Sequence, residues 1–285
     1  MRIAVVTKYD QQHQPLHAQV KALILQLAKS HDLFFAPQTP VALFEALGWD
    51  AEKAASRTSA VRLLATKVDV LVSIGGDGTM LGAAREVVSF GIPLIGVNQG
   101  RLGFITDIAL DDQAYHKIES MLKGMRIEEE RSLLYVQGQT ALNDIAIHRP
   151  GSKMLELELS IDNRFAYRCR ADGLLISTPT GSTAYNLASG GSIVAPCAKV
   201  FTLTPILPQS LANRPLIVED SSILEVKIVA NDAVVLADGL DIMRLSPGVS
   251  LTITKNKDSS KFWHPEKDYN YLETLRTKLG WHRQD

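Results

Sequence analysis

Followed as a pattern of apolar and polar positions, the chain changes its grammar near Arg131. Before that point, continuous apolar runs alternate with stretches whose apolar residues recur every three or four positions. "RIAVVT", "VDVLVSI" and "IPLIGVN" read as strands, and "HAQVKALILQLAKS" and "TMLGAAREVVSF" as helices. Uninterrupted apolar strands separated by helices imply a parallel sheet covered on both faces. Ligands of such sheets bind beyond the carboxyl ends of the strands. Two loops lie there, "GGDGT" after Ile74 and "NQGRLGF" after Val97.

From Arg131 onward the strands shorten and Gly, Asn and Asp interrupt them. "SLLYVQG", "ALNDIAIHR", "LELELSIDN", "RFAYRCRADG" and "LLISTP" come first, then "FTLTPI", "SILEVKIV", "AVVLADG" and "VSLTITK". "IDNRF" and "LADGLD" carry the turn chemistry of hairpins. Many short strands with frequent turns predict a mainly-β, sandwich-like unit. The tail "DYNYLETLRTKLGW" returns to helical spacing and is expected to pack back on the first domain. The reading is therefore a Rossmann-like α/β domain over 1–120, rejoined by 265–285, and a mainly-β domain over 121–264. Neither repeats nor a low-complexity linker interrupt it.

Bulk properties narrow the function classes. The 285 residues are 46% apolar, enough for one large or two medium domains. A net charge of -1 gives no global pull toward nucleic acid or an anionic membrane. The apolar runs are too short to span a bilayer, and the N-terminus reads as a strand rather than a signal peptide. Cys169 and Cys197 are too few for a disulfide framework or a cysteine metal cage, and both read as small buried residues. These features predict a cytoplasmic protein.

Three readings meet at the glycine loop. A tight strand-to-helix turn needs such glycines. Gly76, Gly78 and Gly82 give a loose dinucleotide-binding spacing, but the next strand ends at Asn98 where an acidic residue is expected. A Walker loop fails because no Gly-Lys-Ser/Thr follows. Asp77 argues against a simple pyrophosphate cradle, since a bare carboxylate repels a nearby phosphate by roughly several kcal/mol in a partly desolvated cleft. It makes sense beside a divalent cation, or as acceptor of the proton from a hydroxyl that attacks phosphorus. The N–H groups of Gly76, Gly78 and Thr79 at a helix N-terminus would then hold the donor phosphate.

A second constellation agrees. "ADGLLISTPTGSTAYNLASGG", Ala171 to Gly191, is dense in hydroxyls, then offers Tyr185 to stack on a base and groups around Thr183 to bond its edge. An ordered structural turn is the bland reading of the same residues. Asn143 and Asp144 add an amide and a carboxylate suited to a base and ribose hydroxyls, or simply mark a turn or bulge. His13 and His17 are spaced i, i+4, but Pro15 and the lack of a third ligand favour a solvated loop. His148 reads as a satisfied strand residue, and Glu128–Glu130 as a solvated turn.

Together these segments resemble the NAD kinase family: Gly75–Thr79 matches its GGDGT motif and Asn98–Phe104 its N-x-G-x-L-G-F motif. Asn143 and Asp144 match its Asn-acid pair, and "DGLLISTPTGSTAYNLASGG" its long signature. GGDG is shared with diacylglycerol kinases and phosphofructokinases, whereas "TPTGSTAYNL" is highly specific. The resemblance implies phosphorylation of the 2′-hydroxyl on the adenosine ribose of NAD, with ATP or polyphosphate as donor, to give NADP. It also implies a divalent cation such as Mg²⁺ and a homotetramer or homodimer. By motif, Asp77 is the implied proton acceptor with Gly78 beside it, Asn143 and Asp144 contact base and ribose, and Arg170 and Asp172 the nicotinamide side. Thr183, Ala184, Tyr185, Asn186, Leu187 and Ala188 line the implied adenine site, with Tyr185 stacking. One departure stands out: Asp238-Gly239 is followed by Leu240, where many relatives carry Gln, so this turn is expected to be only a hairpin. A lipid kinase of the same superfamily and a non-catalytic dinucleotide-binding protein are the alternatives.

Overall fold

A computed structural model describes residues 1–7, 18–100 and 103–281. His13 and His17 lie outside the described residues, as do Arg101 and Leu102 of the second loop. The chain forms two compact units, Met1–Glu129 with Ser260–Asp285, and Glu130–Ser259.

The first unit is the expected α/β layer structure. Its sheet runs in the order Asp32–Phe35, Arg2–Thr7, Val70–Gly75, Leu94–Asn98, Ser260–Pro265, Arg126–Arg131, with Ile108–Ala109 also paired to Leu94–Asn98. The pairings among Asp32–Phe35, Arg2–Thr7, Val70–Gly75 and Leu94–Asn98 are all parallel. The chain enters mid-sheet and adds one strand on each side of Arg2–Thr7, the reversal of order at which such sheets hold ligands. Val70–Gly75 is buried at every position, which is why its sequence reads as unbroken apolar residues rather than alternation. Helices Ala18–Leu27 and Ala114–Leu122 bury Leu23, Ile24, Leu27 and Ile118 in the same core as Val70, Val72 and Ile95.

Four strands of this sheet lie where no strand was expected: Asp32–Phe35, Ile108–Ala109, Arg126–Arg131 and Ser260–Pro265. The acidic triplet at 128–130 is therefore strand, not turn. Glu128 and Glu130 face solvent, while Glu129 accepts a 2.7 Å hydrogen bond from the Tyr269 hydroxyl and lies 3.2 Å from the ring of buried His264. The tail helix Tyr271–Leu279 belongs to this unit, anchored by Thr274 and Leu275. It starts at Asn270, whose side chain accepts from the Glu273 N–H, and stops at Gly280 with φ 70°.

The second unit is a sandwich of two six-stranded sheets. "LELELSI" alternates buried and half-buried positions, so Leu155, Leu157 and Leu159 share one core with Ile145, Ile147, Leu174 and Ile176 of the other sheet. Both expected hairpins form, with φ of 50° and 61° at Asp162 and Asn163, and 48° and 78° at Asp238 and Gly239. Positive φ at both central residues gives the twist that two-residue hairpins need. Cys169 is buried as expected, but Cys197 is exposed, because it follows the loop of the long signature rather than a strand. No helix among the described residues is long and apolar enough to cross a membrane.

Candidate active site

The glycine loop joins strand Val70–Gly75 to helix Asp77–Val87, with Gly76 as the N-cap. Asp77 is thus the first helical residue, where the backbone N–H groups have no intrahelical acceptor and an acidic side chain is favoured. Its carboxylate is held from the neighbouring loop. Oδ2 accepts from the Phe104 N–H at 2.8 Å, and Oδ1 from the Ile105 N–H at 3.2 Å and the Thr106 hydroxyl at 2.8 Å. Thr106 in turn accepts from the Asn98 amide at 2.8 Å, and the Asn98 amide oxygen takes the Gly100 N–H at 2.7 Å. The N-x-G-x-L-G-F motif therefore orients Asp77. Gly103 has to be glycine here, since a Cβ on it would run into Asp77 Oδ1 and the Thr106 hydroxyl.

Each carboxylate oxygen has two lone pairs, so among the described residues Oδ1 is filled and Oδ2 keeps one. Asp77 lines a cavity of about 410 Å³ together with Gly75, Gly76, Asn98 and Gly103. Lys278 of the tail helix also lines it, a residue that no sequence motif pointed to. Gly78 is exposed and Thr79 half-buried on the first turn of the same helix.

In the second unit, strand Gly173–Ser177 pairs antiparallel with Asp144–His148, which sets Ser177 opposite Asp144. The loop after it is tied to residues 142–143. The Thr178 hydroxyl donates to the Leu142 carbonyl (2.5 Å), its N–H to the Asn143 carbonyl (2.9 Å), and a Cβ on Gly181 would strike that same carbonyl. From the other side the Asp238 carboxylate accepts the N–H groups of Leu142, Asn143 and Asp144 at 2.9, 2.7 and 3.1 Å. Asp238 is therefore more than a hairpin residue, because it fixes the backbone of the Asn-acid pair. The side-chain amide of half-buried Asn143 makes no hydrogen bond among the described residues. Asp144 is 5% exposed. Burial, helped by the nearby Asp238 charge, pushes its carboxyl up to about 7.

The hydroxyl-rich signature has a structural explanation that the sequence hid. Thr178 and Ser182 are buried and bond within the loop. Asn186 is fully buried: its amide donates to the Ser182 and Ser192 carbonyls and accepts from the Thr202 and Thr204 hydroxyls. Its side chain organises the loop, and solvent reaches the neighbours instead. Thr183, Ala184 and Leu187 are half-buried, while Ala188 and Tyr185 are exposed, Tyr185 at 45%. Tyr185 and Asp172 line one cavity of about 460 Å³ with His148 and Arg149. Asp172 arrives there already engaged, its two oxygens 2.7 and 3.0 Å from the Arg149 guanidinium. Arg170 is exposed on strand Arg164–Ala171 and does not line that cavity.

A carboxylate locked into a glycine-lined cavity of an α/β unit, joined to a β sandwich, defines a nucleotide-dependent phosphotransferase. Comparison with known proteins makes the class specific. The ATP-NAD kinase N-terminal domain matches residues 4–125 and the ATP-NAD kinase C-terminal domain residues 142–264. The NAD kinase of Thiobacillus denitrificans is 40% identical, over 98% of this chain and 96% of its own. That of Laribacter hongkongensis is 45% identical over 75% of this chain and 77% of its own. The chain belongs to the NAD kinase family. Among solved structures, an Archaeoglobus fulgidus NAD kinase in complex with ATP aligns at 26% identity and a TM-score of 0.77, covering 98% of this chain and 99% of the other. Yeast NADH kinase complexed with NADH shares the fold, with a TM-score of 0.82 at 24% identity over 100% of this chain and 88% of the other.

Proposed function

We propose that this protein phosphorylates the 2′-hydroxyl on the adenosine ribose of NAD, with ATP or polyphosphate as donor, to make NADP. The observation that carries the reading is Asp77, fixed by three donors and left with one accepting position in its cavity. In this reading Asp77 takes the hydroxyl proton as oxygen attacks phosphorus, a role that contributes about 10²–10⁴-fold. The N–H groups of Gly76, Gly78 and Thr79 at the helix N-terminus receive donor phosphate. Asn143, with its free amide, and Asp144 serve base and ribose, Thr183, Ala184, Leu187 and Ala188 line the adenine, and Tyr185 stacks on it. Asn186 supports that loop from beneath. Asp172, backed by Arg149, and Arg170 serve the nicotinamide side.

The reading also includes a divalent cation. Among the described residues no group of three or more His, Cys, Asp or Glu is arranged to hold a metal, and Asp77 is the single carboxylate lining its cavity. That donor set fits Mg²⁺ carried on the donor's own phosphates beside one carboxylate, where it would neutralise phosphate charge. We also read the protein as a cytoplasmic homotetramer or homodimer.

The test is direct: purified protein, Mg²⁺ and NAD with ATP or polyphosphate in turn, with NADP formation followed enzymatically. NADP is expected with ATP. Phosphorylation of a lipid, with none of NAD, would overturn the reading.

A further inference from the structure

We propose that Lys278 is a donor-phosphate contact of this enzyme, supplied by the tail helix; the inference rests on the kinase reading above. Lys278 lies beyond both matched family domains, which end at residues 125 and 264, and outside every motif in the sequence. It nevertheless lines the cavity that holds Gly76, Asp77 and Gly103. Among the described residues it is the one basic side chain there.

Its placement follows from the helix. Lys278 stands four residues after Thr274 and three after Leu275, the two buried anchors, so its stem starts on the packed face. The residue is nonetheless exposed, and its ammonium lies 5.7 Å from the centre of the Phe104 ring. Phe104 is the residue whose N–H fixes Asp77 Oδ2. One loop therefore holds a carboxylate and borders a cation at the same cavity.

Phosphoryl transfer needs that pairing. The acceptor oxygen forms its bond to the terminal phosphorus as the bond from phosphorus to the bridging oxygen breaks, the hydroxyl proton passes to Asp77, and the diphosphate leaves with the bridging oxygen's electron pair. Negative charge grows on the leaving group and on the oxygens around phosphorus, opposite a fixed carboxylate. A lysine ammonium, a compact charge on a flexible stem, suits a phosphate chain whose position changes along the reaction. Lys278 makes and breaks no bond; it binds and neutralises.

Lys278→Gln and Lys278→Arg test this, with kinetics varied separately in ATP and NAD and with calorimetric binding of tripolyphosphate plus Mg²⁺. For Lys278→Gln the KM for ATP should rise about tenfold or more, with the KM for NAD within about twofold and Tm unchanged. Tripolyphosphate binding should weaken in parallel, and Lys278→Arg should restore most of both. An unchanged KM for ATP and unchanged tripolyphosphate affinity would overturn the proposal, as would equal losses toward both substrates with a lowered Tm. If the unmutated protein makes no NADP, the kinase reading fails on its own. The tripolyphosphate arm then still decides Lys278: weaker binding by Lys278→Gln supports the anion contact, and equal binding removes it.

Discussion

A carboxylate that accepts three hydrogen bonds from a neighbouring loop cannot swing to suit a ligand, so the ligand must come to it. Asp77 is held in this way, and its substitution separates the two roles open to it. In Asp77→Asn the side chain keeps its size but cannot accept a proton. We expect kcat to fall by at least about a hundredfold while NAD binding changes little, in steady-state kinetics and direct titration. Recovery of most of the rate at high Mg²⁺ would instead make Asp77 a partner of the cation, and a folded variant with near-normal turnover would exclude both roles. Asp144 behaves differently because burial controls it. Its carboxyl is pushed from the ordinary 3.8 up to about 7, so the unfolded chain ionises it first. The stability tied to its protonated form is complete below pH ~4 and is lost as pH rises through about 7. Above that, ionised Asp144 costs on the order of 4 kcal/mol. Asp144→Asn should therefore raise Tm relative to the unmutated protein much more at pH 8 than at pH 5. An equal shift at both pH values would show that the group titrates normally.

At the scale of elements, the hairpin Ala233–Leu245 is where turn and anchor have to be told apart. A two-residue turn with positive φ accepts Asn as readily as Asp, so a turn-only role leaves Asp238→Asn silent. An amide, however, places an NH₂ against one of the N–H groups of Leu142, Asn143 or Asp144 that the carboxylate now accepts. We expect a loss of about 1–3 kcal/mol in denaturant unfolding, with weaker NAD binding because Asn143 loses its setting. This anchor was invisible in the sequence, since Asp238 lies 94 to 96 positions from the amides it holds. The same limit hid strand Arg126–Arg131, whose three acidic residues look like solvated turn until Tyr269 and His264 are brought to Glu129. By contrast, Val70–Gly75 and "LELELSI" were legible because burial on two faces or on one leaves its own period in the sequence. The glycine loop and Asp77 were legible for a chemical reason, a carboxylate where a phosphate cradle should have none. Asn186 belongs to the motif that implies the adenine site, and what the sequence does not show is that its amide is already satisfied within its own surroundings.

For the whole molecule, the outer segments of the chain build one unit and the middle of the chain folds a sandwich by itself, and each unit has its own core. The kinase reading gives each unit part of one reaction: Asp77 and the phosphate-binding amides to the first, and the base- and ribose-recognising residues to the second. That division predicts how the free and liganded chains differ in amide exchange. In the free chain, the N–H groups of Asp77 and Gly78, at the start of helix Asp77–Val87, have no acceptor among the described residues and should exchange quickly, whereas those of Thr79 and Met80 already donate to the Gly76 carbonyl. Those of Gly181 and Ala184 already bond inside their loop and that of Thr178 donates to the Asn143 carbonyl, so that segment starts with partial protection. A ligand that binds only the folded state at a hundred times its Kd adds about 2.7 kcal/mol of protection to whatever it orders. NAD is expected to slow exchange in both 75–82 and 178–188, with Mg²⁺ and tripolyphosphate alone slowing only the first. Hydrogen–deuterium exchange read by mass spectrometry resolves the two segments. Protection by NAD confined to 178–188 would leave Asp77 without its acceptor hydroxyl, and protection confined to 75–82 would remove Tyr185 and its loop from NAD recognition.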